Sequence, residues 1–426
     1  MDQDRDLDQE RAVDLMCGTD RMVIITGGPG TGKTTTLKKT LNDTRLFGKD
    51  VVLAAPTGKA AKRITEVVGG EAQTVHRLTG YTGERYHTDQ LPHDVIILDE
   101  ASMVDAEMLY HLLLVMKPSA RLILIGDADQ LPSVGAGSVL RDLLESGKVP
   151  TVRLQTLHRS AKESWICMNA PKILAGSMFD TEKRDDFEAF EYSNTYDILD
   201  LVQQLMVHHQ NNFYMGRFQL LTPMNVGDLG TEVLNSTIAE VLNPNREERE
   251  HFELAIPRAT MQQIAAVKDR VIHIRNNYRL AVFNGEIGTI DKIAEGKVWV
   301  KYPERMVEYP QLVAMHELRL AYALTVHKAQ GSEWENVAVI CHGMHQRMWS
   351  RQLLYTAVTR AKKGVTLIGN DEGVGIALSQ NKPRERFTTL PDRIRELAPM
   401  VPSVKGFDID DSDVDSGEIN VDELTL

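Results

Sequence analysis

The chain has 426 residues, enough for two or three domains with real cores. Its 42% hydrophobic and 25% charged residues are ordinary for a globular protein, and no apolar run reaches the length of a membrane span. The formal net charge of −12 is uneven: Asp408, Asp410, Asp411, Asp413, Asp415, Glu418, Asp422 and Glu423 sit in a tail without Lys or Arg, so residues 1–406 carry only −4 and net charge excludes neither an anionic nor a neutral partner.

The N-terminus (MDQDRDLDQERAVDLM) is acidic and lacks a signal-peptide core. Cys17, Cys167 and Cys341 are scattered, forming neither a metal pattern nor a disulfide framework, which points to a reducing cytoplasm. Residues 21–26 (RMVIIT) read as a buried strand, followed by a glycine-rich turn and a helix starting near Lys33. VVLAAP at 51–56 is a second strand, followed by a basic helix, GKAAKRITEVV. VIILDE at 95–100 and RLILIGD at 121–127 are two more. Strands alternating with helices predict a parallel α/β sheet, with ligands at the carboxyl ends of its strands. The stretch 79–93 breaks the pattern. It is polar and turn-rich, contains Tyr81 and Tyr86, and predicts a β-hairpin insertion.

A second α/β unit has candidate strands FQLLTP (218–223), NVAVICH (336–342) and GVTLIGN (364–370). Between the first two lie DRVIHIRN (269–276), GEIGTIDKI (285–293) and KVWVKYP (297–303), short strands that suggest an inserted β-barrel. Residues 383–426 are Pro-rich, then acidic, and read as a linker and a disordered tail. Interspersed Ile409, Val414, Ile419, Val421 and Leu424 suit docking of a protein partner.

Gly27–Thr34 (GGPGTGKT) fits the phosphate-binding loop G-x-x-x-x-G-K-[ST] between a strand and a helix. Backbone N–H groups of Gly28, Pro29's neighbours, Gly30, Thr31 and Gly32 would wrap phosphates at a helix N-terminus, with Thr35 just beyond. Lys33 would reach the β- and γ-phosphates of ATP, and Thr34 would ligate Mg²⁺. Asp99 suits the Mg²⁺ position, and Glu100 suits the carboxylate that orients or deprotonates water. Gln130, in GDADQLP, could touch the γ-phosphate and report its hydrolysis. Arg159 in TLHRS and Arg360 in YTAVTRAK are candidates for the positive charge that a second domain brings to the γ-phosphate.

Taken in order, these motifs resemble those of superfamily 1 helicases of the RecD-like and Dda-like branch. GGPGTGKT, APTGKAAKRI, TVHRL, LDEASMVD and GDADQLPSVGAG resemble its first-domain motifs; LTPMN, the FNGEIG turn, LTVHKAQGSEW and LLYTAVTRA resemble those of its second. The resemblance covers about residues 7–370 and implies two RecA-like domains with ATP between them. Its implied division is 1–155 for the first domain with a strand-separating pin at 79–93, 156–265 and 320–382 for the second, and 266–319 for an SH3-like barrel. It implies that Gln9 reads adenine and that Gly331 and Glu333 face the nucleotide. Single-stranded DNA would touch Pro56, Thr57, Lys59, Thr74 and His76, then Thr325, His327 and Lys328, with Tyr86 wedging the fork. The implied activity is ATP-dependent unwinding in the 5′ to 3′ direction, by a monomer, in DNA replication, recombination or repair. Alternatives are a protein-stripping translocase or an ATP-switched DNA-binding subunit of a larger assembly. A short chain of this kind suits a bacterial cell or a phage-infected host. The segment 160–215 carries little of the resemblance, and His158 stands where an aromatic commonly precedes the arginine.

Overall fold

The computed structural model describes residues 6–81, 90–156, 163–277, 279–381, 386 and 388–397. The first helix, α1 (Leu7–Cys17), is capped by the Asp6 carboxylate, which accepts from the N–H groups of Asp8 and Gln9. After it come β1 (Met22–Gly27), α2 (Lys33–Leu41), β2 (Val51–Ala55), α3 (Gly58–Val68), β3 (Ala72–Thr74), α4 (Val75–Leu78), β4 (Val95–Leu98), α5 (Ala106–Val115), β5 (Arg121–Gly126), α6 (Val139–Ser146) and β6 (Thr151–Leu154). The six strands form one parallel sheet in the order β3-β2-β4-β5-β1-β6. Central strands are buried on both faces, which is why they read as unbroken apolar runs. One face packs Ile24, Ile96 and Leu124 against α5 and α6; the other packs Ile25, Ile97 and Ile123 against α1, α2 and α3.

The second half begins with α7 (Trp165–Ala175), β7 (Phe187–Glu191), α8 (Thr195–His208), α9 (Gln210–Tyr214), β8 (Phe218–Thr222) and α10 (Thr231–Leu242). A two-stranded ribbon of β9 (His251–Glu253) and β10 (Ile264–Ala266) leads into β11 (Arg270–His273), β12 (Ile287–Ala294), β13 (Lys297–Lys301), β14 (Met306–Pro310), α11 (Gln311–Glu317) and β15 (Leu318–Leu320). These form an antiparallel five-stranded sheet, β14-β13-β12-β11-β15. Its strands alternate: Val298 and Val300 point inward, Lys297 and Lys301 outward. The chain then completes a second parallel sheet with β16 (Ala323–Thr325), β17 (Trp334–Cys341), α12 (Arg351–Val358), β18 (Ala361–Gly369) and α13 (Asp371–Ser379), in the order β16-β8-β17-β18-β7. A last helix, α14 (Leu390–Leu397), returns to pack on α6.

The two parallel sheets and the antiparallel insertion follow the expected fold class. Edge strands β3, β6 and β7 and the barrel strands β14 and β15 escaped the sequence reading. Residues 82–89, the heart of the expected hairpin and the site of Tyr86, lie outside the described residues, as do Arg159 and the acidic tail. No helix among the described residues is long and apolar enough to cross a membrane.

Candidate active site

The phosphate loop leaves β1 at Gly27 and enters α2 at Lys33. Gly32 caps α2 with φ +85°, a left-handed conformation that only glycine adopts freely. Thr31 donates its hydroxyl to the Gly28 carbonyl at 2.9 Å and stiffens the turn. The Lys33 ammonium folds back onto the carbonyls of Gly27 (2.5 Å) and Gly28 (3.0 Å). Both are neutral acceptors, which leaves the charge free to pair with phosphate. Thr34 follows on the first turn of α2, and Thr35 is exposed. Gln9 is buried on α1, where its side-chain oxygen accepts from Lys39 Nζ at 2.8 Å.

Asp99 and Glu100 follow β4 directly. Burial and the neighbouring Glu100 carboxylate push the Asp99 carboxyl up to about 6, although the Glu100 N–H, Arg63 and Lys33 stabilise its anion. A carboxylate held under that tension beside Lys33 suits a divalent cation. Among the described residues no three His, Cys, Asp or Glu side chains could hold a metal on their own. Glu100 sits at φ 54°, ψ 40°, a left-handed position costing a non-glycine residue about 1–3 kcal/mol. Its N–H donates to Asp99 Oδ1 at 2.9 Å.

The second sheet unit closes over this site. From α12, the Tyr355 hydroxyl donates to Asp127 Oδ2 at 2.7 Å, and the Gln130 amide donates to the same oxygen at 3.1 Å. The Leu131 N–H donates to Thr356 Oγ1 (3.0 Å), and Gln330 Nε2 donates to the Leu131 carbonyl (3.0 Å). Leu131 itself is buried in the core of the second unit. Burial and the Asp127 carboxylate hold the Tyr355 phenol well above its ordinary range, so it stays a donor. Arg360 is 1% exposed. Its guanidinium donates to the carbonyls of Thr356 and Ser332, each at 3.2 Å, and to Thr359 Oγ1 at 3.5 Å, and it forms no ion pair among the described residues. Its charge therefore rests on neutral acceptors alone among the described residues.

On the far side of this seam lies a cavity of about 880 Å³ between α3, the antiparallel sheet and the loop before β17. Lys59, Thr74, Gly331 and Glu333 line it, all singled out from sequence. Thr57 and Thr74 also cap α3 and α4 by accepting from the N–H groups of Ala60 and Arg77. Pro56 is buried at the end of β2. His76 lies against Tyr81 with the rings tilted by 45°, centroids 5.0 Å apart, and burial pushes its imidazole below its ordinary range. Thr325, His327 and Lys328 lie elsewhere, at the turn after β16, where Thr325 Oγ1 accepts from the Lys328 N–H and the other two side chains are exposed. The sequence reading missed Arg63, Lys62 and Arg77, which also line the cavity. The signal available was spacing: Lys59 and Arg63 are four residues apart on one helix face.

Residues 5–186 match the AAA domain family, 320–368 the UvrD-like helicase C-terminal domain, and 234–302 the SH3 domain of ATP-dependent RecD-like DNA helicases. The chain is 31% identical over 415 residues to the RecBCD enzyme subunit RecD of Mycobacterium tuberculosis, covering 88% of this chain and 71% of that protein. The chain belongs to the RecD-like helicase family. This RecD-like chain is also 36% identical over 392 residues to the ATP-dependent RecD2 DNA helicase of Deinococcus radiodurans, covering 91% of this chain but 52% of that longer protein. Its fold is similar to a crystal structure of Pif1 helicase from Bacteroides in complex with ADP-AlF3 and ssDNA (TM-score 0.54, 18% identity, 92% of this chain and 97% of that one).

Proposed function

We propose that this RecD-like chain is an ATP-dependent DNA helicase that moves 5′ to 3′ on single-stranded DNA and unwinds duplex forks. The observation that carries the proposal is the seam itself: a second parallel-sheet unit meets the first beside the phosphate loop, with Tyr355 against Gly28 and bonded to Asp127, and Thr356 bonded to the Leu131 N–H. A small-molecule kinase would need a substrate pocket there instead.

In this reading Lys33 holds the β- and γ-phosphates. Mg²⁺, held by Thr34 and Asp99, supplies charge neutralisation on the phosphate oxygens. Glu100 orients the attacking water, and Gln130 senses the γ-phosphate through the Asp127–Tyr355 link. Arg360, and Arg159 from outside the described residues, stabilise the charge that develops on transfer. Gln9, Gly331 and Glu333 complete the nucleotide site. Pro56, Thr57, Lys59, Thr74 and His76 grip one stretch of the strand and Thr325, His327 and Lys328 another, with Tyr86 at the fork. Cleft closure then slides one grip relative to the other, the units being 1–155 against 156–265 with 320–382. Contacts of these types hold phosphates without reading bases, so binding is salt-sensitive and nearly sequence-independent. Melting costs about 1.4 kcal/mol per stacking step, which favours small steps per ATP.

The test is strand displacement on duplexes carrying a 5′ or a 3′ single-stranded overhang, with ATPase measured alongside. Unwinding from the 5′ overhang and DNA-stimulated ATPase are expected. Unwinding only from the 3′ overhang reverses the polarity, and ATPase indifferent to DNA removes the motor reading. A second reading, an ATP-switched subunit of a larger assembly, draws on the relatives named as RecBCD subunits. It predicts DNA-stimulated ATPase without unwinding by the chain alone.

A further inference from the structure

Arg63 has no part in the cycle above, yet it joins the two sites that the cycle must couple. It lies on α3, one turn beyond Lys59. Its Nη2 is 2.7 Å from Glu333 Oε1, and its Nη1 is 3.4 Å from Glu100 Oε1. Glu333 also faces Lys362, whose Nζ is 3.5 Å from Oε2. One guanidinium therefore bridges the candidate water-orienting carboxylate of the first sheet unit and a carboxylate of the second. The three side chains are 31%, 14% and 19% exposed, so the bridge is shielded more than a surface pair.

The same arginine lines the large cavity. That wall carries eight Lys or Arg side chains and three Glu, which makes the cavity a place for an anion. A guanidinium fork fits phosphate as well as it fits carboxylate. Lys59, next on the same face, reaches the same loop by a second contact: its ammonium lies 4.6 Å from the centroid of the Trp334 ring. A phosphodiester entering the cavity meets both cations at once and competes with both of their present partners. Without it, Glu100 is drawn toward α3 and shares an oxygen with a cation, so its carboxylate is a poor acceptor for a water proton.

We propose that Arg63 is a positioning residue: it latches Glu100 and Glu333 while the cavity is free of nucleic acid, and it releases both when a DNA phosphate takes its guanidinium. The latch rests on the DNA-dependent ATPase reading and adds to it the route by which DNA reaches the hydrolytic carboxylate.

The test uses the full chain with oligo(dT) and compares wild type, Arg63→Ala and Arg63→Lys. In Arg63→Ala, ATPase without DNA rises by about fivefold or more, the low end of ordinary coupling between sites, and stimulation by DNA shrinks by the same factor. The second measurement needs no nucleotide. The slope of log affinity for oligo(dT) against log salt becomes shallower by about 0.7, one phosphate contact on a single strand. Arg63→Lys keeps the slope, because the charge remains, and restores part of the repression. Two results overturn the latch: unchanged stimulation with an unchanged salt slope, or equal loss of ATPase with and without DNA in a folded variant. If wild type itself shows no stimulation, the underlying reading fails, and the wild-type measurement alone reveals that.

Discussion

Among the described residues the Lys33 ammonium is held by two backbone carbonyls alone, so its loss removes little from the fold and much from a phosphate site. Lys33→Ala is expected to shift stability by no more than about 1 kcal/mol, a typical net hydrogen bond. ATP hydrolysis should fall by roughly 100-fold or more, as when one donor to a developing anion is removed. Phosphate release and a urea unfolding midpoint measure the two effects, and retained hydrolysis would contradict the site. Lys59 offers a pH signature. Burial, with Arg270 and Arg360 nearby, pushes its ammonium down to about 7. A bound phosphate raises it again, so the complex holds a proton that the free protein loses above that point. Affinity for DNA is therefore full below about 7 and falls as pH rises, by at most about tenfold per unit. Burial pushes the His76 imidazole below its ordinary range. Lys59→Arg keeps its charge throughout and should flatten the dependence. Oligonucleotide titrations at about pH 6 and about pH 8.5 read it, and parallel curves for the two proteins would take Lys59 off the DNA path.

At the scale of elements, α3 is where first sheet, barrel and second unit meet. Its first residue is Gly58, and a Cβ there would stand 2.7 Å from the Cβ of Phe283 in the FNGEIG turn. The glycine is required by this close approach, since its φ is not among the left-handed ones. Gly58→Ala should cost about 1–3 kcal/mol through overpacking. In a Phe283→Gly background, which removes the opposing Cβ as well as the ring, the sign should reverse, because alanine at 58 then gains up to about 1 kcal/mol of helix propensity. Urea midpoints of the four proteins decide it; a cost that persists without the Phe283 side chain would place the clash elsewhere. The contrast also explains what could be read from sequence. The phosphate loop, Asp99–Glu100 and Gln130 are contiguous runs at strand ends, and their chemistry is local. Arg63 acquires meaning only from Glu100, 37 residues away, and from Glu333 in the other unit. The barrel strand β14 alternates correctly, with Val307 and Tyr309 inward, but its exposed Met306, Glu308 and Pro310 make it look like a loop. The edge strands β3 and β15 have three residues each, too few for any period to show.

At the scale of the whole molecule, the barrel and the second sheet form one body. Leu220, Ala323 and Ile340 of that sheet share one core with Val271, Ile290 and Val300 of the barrel. The first unit is joined to this body across the seam and, separately, by the C-terminal segment. The chain leaves α13 at Ser379 and crosses back to the first unit. There the Arg386 guanidinium donates to the carbonyls of Ser133, Gly135 (2.5 Å) and Gly137 (2.6 Å), the loop that follows Gln130 and Leu131. Beyond it, Ile394 of α14 packs on the core that holds Leu140 and Leu143, and Arg395 donates to the Glu145 carbonyl at 2.6 Å. Any opening of the cleft must therefore part Arg386 from that loop or lift α14 away. Arg386 is the polar anchor of that strap, and hydrogen bonds from a charged donor contribute about 1.5–3 kcal/mol each. Arg386→Ala should therefore raise local opening of α14 by about tenfold or more, read as faster amide exchange in α14 and α6. The amides of β1 and β5, paired in the centre of the first sheet, should keep their rates. Uniformly faster exchange would mean that the substitution unsettles the whole first unit. Unchanged exchange in α14 would mean that Ile394 and its apolar neighbours hold the strap without Arg386, leaving the loop after Gln130 free to move with the nucleotide.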